Sequence, residues 1–219
     1  MDMKNKKFVA SYSGGKDSIL AIYRAIKQGM KPMALIITYN TDVDRSWFHG
    51  MPEHILDEVS KSLNIPIKLI KTSGKEYADN FKKELREQKK NGAEVCVFGD
   101  IDIEGHLEWC TNICKESDIE AYFPLWQESR EKLVREFIAE GFTANITVVD
   151  TTRLSDAHLG MILSEETIRS ISEEGADICG ENGEYHSFVS DGPIFSYPIP
   201  FSYGEKIVQD QFARLPICE

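Results

Sequence analysis

The sequence predicts an α/β protein: a parallel sheet with helices on both faces over residues 1–128, then a smaller α+β domain over 129–219. Three observations carry this. Short apolar runs alternate with helix-length segments up to about residue 125, the pattern of parallel strands joined by right-handed crossovers. Those runs are continuous rather than alternating, as in strands covered on both faces. Near Glu128-Ser129-Arg130 the pattern gives way to a helix, a β-branched run and a glycine-rich polar stretch.

Taken in order, residues 7–12, centred on Phe8-Val9-Ala10, read as a buried strand, and 16–29 as a helix stopped at Gly29. Residues 33–38 (Met-Ala-Leu-Ile-Ile-Thr) are a second strand. Ile55, Leu56, Val59 and Leu63 recur at helical spacing over 51–63, and Asn64-Ile65-Pro66 ends that helix. A third strand spans 67–71. A helix follows over about 76–91, closed by Asn91-Gly92. Val95-Cys96-Val97-Phe98 is a fourth strand, closed by Gly99-Asp100, before a helix over about 104–117. Residues 121–125 read as a short fifth strand or a loop. Beyond the boundary come a helix over about 130–140, the strand-like run Ile146-Thr147-Val148-Val149, and a helix over about 164–174 with Ser164 as its N-cap. Ligands on such sheets sit at the carboxyl ends of strands, near the switch in strand order. The loops after the strands at 7–12, 33–38 and 95–98 are therefore the expected functional edge.

Composition narrows the partners. With 25 basic against 36 acidic residues the net charge is −11, a poor basis for binding nucleic acid, which needs clustered Lys and Arg. The one basic run, Lys82-Lys83 through Arg86 to Lys89-Lys90, is interrupted by Glu84 and Glu87 and reads as a solvated helix face. The five cysteines contain no Cys-x-x-Cys pair, which suits a reducing cytosol. Cys110 and Cys114, four apart, read as a buried helix face rather than a redox or metal pair. No apolar run approaches the roughly 20 residues of a membrane span. Met1 to Lys7 has no apolar segment behind it of the kind a secretory signal needs, so a cytoplasmic protein is expected.

Residues 13–18 read Ser13-Gly14-Gly15-Lys16-Asp17-Ser18, between a strand and a helix. A strand, a Gly-Gly turn and a helix N-terminus make a phosphate cradle, because backbone N–H groups and the helix dipole favour an anion there. Lys16 adds a cation, Ser13 and Ser18 add hydroxyl donors, and Asp17 could hold magnesium or its water. The Walker loop does not fit: Asp17 follows Lys16, and Ala10 stands five before Gly15. A second constellation, 179–193, gathers Glu181, Glu184, His186 and Asp191 around glycines and reads as too polar for core. If 184–188 is extended, Glu184 and His186 share one face and Tyr185 and Ser187 the other. A carboxylate beside an imidazole suits proton transfer, an amine nucleophile or a cation. A self-satisfied polar hairpin is the other reading of that stretch.

The first motif resembles the PP-loop of the N-type ATP pyrophosphatases, which cut ATP between its α and β phosphates. The two motifs together resemble the diphthine–ammonia ligase family, which pairs Ser-Gly-Gly-Lys-Asp-Ser with Gly-Glu-x-Gly-Glu-Tyr/Phe-His-Ser/Thr and Asp-Gly-Pro; here these fall at 13–18 and 180–193. His49-Gly50-Met51-Pro52, Phe98-Gly99-Asp100-Ile101 and Pro124-Leu125-Trp126 resemble further landmarks of that family. The resemblance implies a HUP/Rossmann-like nucleotide domain and a small C-terminal acceptor domain. It implies ATP, magnesium and ammonium as inputs, AMP and pyrophosphate as products, and diphthine on translation elongation factor two as acceptor. It assigns nucleotide contacts to Ser13, Gly14, Gly15, Lys16, Asp17 and Ser18, with Thr38 and Gly99 near the adenosine, His49 as a phosphate or pyrophosphate contact and Asp100 at the same edge. Lys16, Asp17, Glu184 and His186 are the implied catalytic set, Glu181 and Tyr185 lie with the acyl-adenylate and ammonia, and a homodimer is compatible with it.

Other readings are weaker. Asp100-x-Asp102-x-Glu104-Gly105 suggests a calcium loop, but the twelfth position is Thr111 rather than Glu. His158 could face the cleft with Arg153 clamping a substrate anion; His54 and His106 read as structural. Adenylation of another acceptor, a small carboxylate or a tRNA base, is the alternative function, with a non-catalytic nucleotide sensor behind it.

Overall fold

The structure, a computed structural model, describes residues 3–43, 45–46, 49–73 and 76–218. In chain order its elements are β1 (Lys7–Ser11), α1 (Lys16–Lys27), β2 (Lys31–Asn40), β3 (Arg45–Ser46), α2 (Glu53–Leu63), β4 (Ile67–Thr72), α3 (Tyr77–Lys90), β5 (Val95–Val97), α4 (Glu104–Glu116), β6 (Glu120–Tyr122), α5 (Arg130–Ala139), β7 (Thr143–Asp150), a single 3-10 turn (Asp156–His158), α6 (Glu165–Glu173), β8 (Tyr185–Asp191), β9 (Ser202–Tyr203), β10 (Ile207–Gln209), β11 (Phe212–Arg214) and β12 (Ile217–Cys218). Two compact units divide the chain. The first comprises Met1–Ser13, Asp17–Phe48 and Asn64–Gln127; the second comprises Gly14–Lys16, His49–Leu63 and Glu128–Glu219.

In the first unit β2, β1, β5 and β6 lie side by side and run parallel, β4 joins β2 in parallel, and β3 pairs antiparallel with β2, so the sheet is mixed. Strand order runs outward from β1 both ways, to β2 and β4 on one side and to β5 and β6 on the other. The switch therefore falls between β1 and β5, whose carboxyl ends lead into Tyr12-Ser13 and Phe98-Gly99-Asp100. Val9, Ala34, Ile36, Cys96 and Phe98 bury against Phe81 and Leu85 of α3 and Cys110, Ile113 and Cys114 of α4. Phe8, Ala10, Leu35, Ile37, Val95 and Val97, at the alternate positions, are buried as well. Burial of both faces explains why these runs show no polar alternation. β2 outruns the apolar segment because β1, β4 and β3 all pair with it. Part of the basic run of α3 is engaged in ion pairs, Lys82 with Asp79 (2.9 Å) and Glu116 (3.2 Å), Lys89 with Asp118 (3.8 Å) and Lys90 with Glu87 (3.7 Å).

The second unit holds an antiparallel sheet in the order β10-β11-β7-β8 and a β9–β12 pair. Helix α2 is tied to it through Ser62, whose Oγ donates to the Tyr197 carbonyl (2.5 Å) and accepts from the Tyr197 N–H (3.2 Å). Leu133, Val134 and Phe137 of α5 and Ile168 and Ile171 of α6 are buried. Ser164 caps α6 as the sequence predicts, its Oγ accepting from the Thr167 N–H at 3.2 Å. Ser164→Ala should cost about 1 kcal/mol, a melting temperature roughly 2–4 °C lower by calorimetry; an unchanged melting temperature would show the cap to be idle.

Two features depart from the sequence reading. The stretch 179–193 is not all polar loop: 179–184 form the turn, and Tyr185–Asp191 are β8, with Phe188 and Val189 fully buried among its polar residues. Strands β9 to β12 have no counterpart in that reading, being two or three residues long and too short to show a period. Ile207–Gln209 and Phe212–Arg214 pair as a hairpin across Asp210-Gln211, with Asp210 in the left-handed region (φ 54). All five cysteines are free, and Cys96, Cys110, Cys114 and Cys179 are buried, in line with the structural reading of the Cys110–Cys114 spacing. Among the described residues no helix is long and apolar enough to cross a membrane.

Candidate active site

Within the first unit lie the strand-end groups. The Ser13 hydroxyl lies 3.2 Å from that of Ser18, and the Ser13 N–H reaches the same Ser18 oxygen at 3.4 Å, which shapes the mouth of the turn. Gly99 sits directly on the start of α1: a Cβ there would meet the carbonyl carbon of Asp17 and the nitrogen of Ser18, each at 2.8 Å. Thr38, buried at the end of β2, shares a hydrogen bond with the Tyr77 hydroxyl. Asp100 stands beside His106, whose Nδ1 is 3.2 Å from Asp100 Oδ1, and the Cys110 thiol points at its other oxygen (3.8 Å). Burial pushes the Asp100 carboxyl above the usual carboxylate range, and His106 pulls it part of the way back. Read from sequence as structural, His106 is thus the support of a candidate site residue; its place one turn ahead of Cys110 on α4 was the available signal. Tyr77, beside Thr38, carried no signal.

Within the second unit lie the glycine turn and β8. The Gly14 carbonyl accepts from the Val189 N–H (2.9 Å), and the Lys16 N–H donates to Ser187 Oγ (3.4 Å). The Lys16 side chain is only 6% exposed, and its ammonium lies 5.7 Å from the centre of the Tyr185 ring. Tyr185 is locked in turn, its hydroxyl donating to the Ile178 carbonyl at 2.8 Å. Its ring passes so close to Gly180 (φ +70) that a Cβ there would sit 2.8 Å from a ring carbon. The motif at 13–18 and the one at 180–193 are in this way hydrogen-bonded partners.

Glu184 is buried, at 4% exposure, and ligated by its own loop. Its two oxygens accept from the backbone N–H and side-chain amide of Asn182, each at 3.1 Å, and Arg153 Nη1 lies 3.8 Å from Oε1. Arg130 steadies Asn182 from the far side, bonding Asn182 Oδ1 (3.0 Å) and Asp177 Oδ2 (2.6 Å). Arg153 also reaches Asp150 Oδ2 at 3.6 Å, so it stands among the carboxylates of Glu184 and Asp150. His186 is half-buried, with the His49 ring edge-on to it at 5.3 Å between centroids. Opposite it, Thr147 of β7 bulges out of register, since Ile146 pairs with Ser187 and Val148 with His186, and the Thr147 hydroxyl bonds the His186 carbonyl (3.4 Å). Such bulges re-aim side chains, and no sequence signal marked this one. Glu181 is half-buried in the same loop.

His158 does not face a cleft. It is 2% exposed, with Nδ1 bonded to the Ser155 carbonyl (3.1 Å) and Nε2 to Ser170 Oγ (3.2 Å), and two satisfied ring nitrogens mark a structural residue. Among the described residues no group of three or more His, Cys, Asp or Glu side chains could hold a metal ion.

An α/β sheet with a glycine–lysine turn at its topological switch defines a nucleotide-handling enzyme class. Comparison with known proteins gives the family. The model of the diphthamide synthase N-terminal domain matches residues 6–121, and that of the diphthamide synthase C-terminal domain matches 129–214. The chain belongs to the diphthamide synthase family. It is 27% identical to the diphthine–ammonia ligase of Rattus norvegicus, covering 97% of this chain and 89% of that one. It is 24% identical to the diphthine–ammonia ligase of Saccharomyces cerevisiae, covering 87% of this chain and 34% of the longer yeast protein. A solved chain described as a predicted subunit of tRNA methyltransferase from Methanocaldococcus jannaschii aligns at a TM-score of 0.46 with 18% identity, over 84% of this chain and 96% of that one.

Proposed function

We propose that this protein amidates a carboxylate at the expense of ATP, passing through an acyl-adenylate and releasing AMP and pyrophosphate, with ammonium as the nitrogen donor. The observation that carries the reading is the bonding of the glycine turn to β8: Gly14 to Val189 and Lys16 to Ser187 bring a phosphate-binding lysine and the Glu184–His186 segment into one unit. A carboxylate oxygen of the acceptor attacks the α-phosphorus, and pyrophosphate leaves with its charge met by Lys16 and the N–H groups of the turn. The ammonia nitrogen then attacks the acyl carbon, and AMP departs. Ammonium must first lose a proton, and Glu184 and His186 are the groups at hand. Asp17 is the carboxylate that would hold magnesium. Bound with the nucleotide phosphates, the ion would neutralise part of their charge.

The relatives' name supplies the acceptor in this proposal, diphthine on elongation factor two. The C-terminal segment, 129–219, is the part proposed to receive it, and free thiols favour a cytosolic setting. Incubation with ATP, ammonium and elongation factor carrying diphthine should yield AMP and pyrophosphate in step with amide. ADP as the product would overturn the α-phosphate assignment. AMP formed with the factor omitted and a tRNA supplied would move the acceptor elsewhere.

A further inference from the structure

We propose that Arg130 is a positioning residue for the amidation step: it fixes Asn182 so that both Glu184 oxygens stay against N–H donors, and through Asn182 it sets the aim of the Glu184 carboxylate. This rests on the amidation reading above and adds two residues to it. Arg130 is the first residue of α5, an end where the helix dipole favours an acid and disfavours a cation, so the helix itself gives no reason for an arginine there. Its Nη1 instead ties together the loop that carries Glu181 and leads to Glu184. It donates to Asp177 Oδ2 at 2.6 Å and to Asn182 Oδ1 at 3.0 Å. Asp177 anchors the start of that loop, its Oδ1 accepting from the Cys179 N–H at 2.9 Å.

The chemistry of the amide gives the arrangement a direction. A guanidinium only donates, so it must meet the amide oxygen of Asn182. The amide NH2 group is then turned to Glu184 Oε1 at 3.1 Å, while the Asn182 backbone N–H serves Oε2 at 3.1 Å. Arg153 Nη1, 3.8 Å from Oε1, lies beyond hydrogen-bond reach. Among the described residues, Asn182 therefore supplies the hydrogen bonds that the Glu184 carboxylate accepts. Asn182 itself is exposed, so without Arg130 its amide has water as a competing partner. Glu184 is buried and has little water to replace a lost donor, so the loss falls on the orientation of its carboxylate.

The test separates aim from mere stability. Arg130→Met keeps an apolar stem and deletes the donor. Arg130→Lys restores one, since a single nitrogen makes both contacts. Asn182→Asp keeps an oxygen for Arg130, and strengthens that pair, but sets a second carboxylate against Glu184. With ATP, ammonium and diphthine-bearing elongation factor all saturating, kcat for amide formation should fall about tenfold in Arg130→Met and in Asn182→Asp. It should recover to within about threefold of the parent in Arg130→Lys. In a Glu184→Gln background Arg130→Met should change kcat by less than about twofold, because the group it positions is gone. If Arg130 only holds the loop, Asn182→Asp keeps full kcat, and that result overturns the proposal. Equal losses from Arg130→Met with and without Glu184 overturn it as well. Asn182→Asp retains both acceptors of Arg130 and decides the matter where Arg130→Met is too unstable to assay. Amide formation absent from the parent overturns the amidation reading itself, whereas amide formed by the parent and undiminished in these variants overturns this proposal alone.

Discussion

Gly99→Ala should melt roughly 2–12 °C below the parent and bind ATP about tenfold or more weakly. The added methyl would lie 2.8 Å from the Asp17 carbonyl carbon, 2.8 Å from the Ser18 nitrogen and 2.9 Å from the Asp17 oxygen. All three are backbone atoms in the first turn of α1, so no side chain can swing aside. Either the end of β5 or the start of the helix must retreat, and overpacking of this kind costs about 1–3 kcal/mol. The displaced atoms carry the N–H groups that a phosphate would use, so binding should suffer beyond the stability loss. Gly105→Ala is the control. A Cβ there meets nothing within 4 Å, and the position lies inside α4, so alanine should be neutral or stabilising by up to about 1 kcal/mol. Calorimetry and ATP titration of both variants decide the matter. A Gly99→Ala protein that melts and binds like the parent would mean that β5 and α1 do not touch as described.

The sheet was legible because its physics is local. Phe8-Val9-Ala10, Met33–Thr38 and Val95–Phe98 are apolar without alternation, and only strands buried on both faces need that. Ser164 was legible as a cap for a similar reason, one hydroxyl answering one N–H three residues on. The partnership of Lys16 with Ser187 was not, since 171 positions separate them and nothing in either segment's period points to the other. The same holds for the support of Glu184: Asn182 could be suspected from adjacency, but Arg130 reaches it from another helix, and the bulge at Thr147 follows from pairing register alone. Short apolar residues late in the chain, such as Ile207 and Val208, gave too brief a run to be told from loop. Sequence thus proposed the candidate groups, while their hydrogen-bond partners came from contacts that composition and spacing do not encode.

Lys16→Ala is expected to lower kcat/KM for ATP about a hundred- to a thousandfold, the range seen when one preorganised group that meets developing charge is removed. The side chain is 6% exposed and held by a turn whose backbone is bonded to β8 at both Gly14 and Lys16, so its ammonium has little freedom to wander. Burying an ammonium costs several kcal/mol of hydration, and a fold does not accept that for packing alone when an aliphatic residue would fill the space. The melting temperature of Lys16→Ala should therefore not fall and could rise by a few degrees, opposite to the loss in activity. Lys16→Arg should recover less than about a tenth of the activity, because a planar guanidinium cannot occupy the place of a compact ammonium over the Tyr185 ring. Rates of AMP formation and melting curves for the two variants separate the cases. If Lys16→Ala keeps more than about a third of the parent rate, the lysine has no part in the phosphate chemistry. If rate and melting temperature fall together, its role is to hold the turn rather than to meet the charge of the departing pyrophosphate.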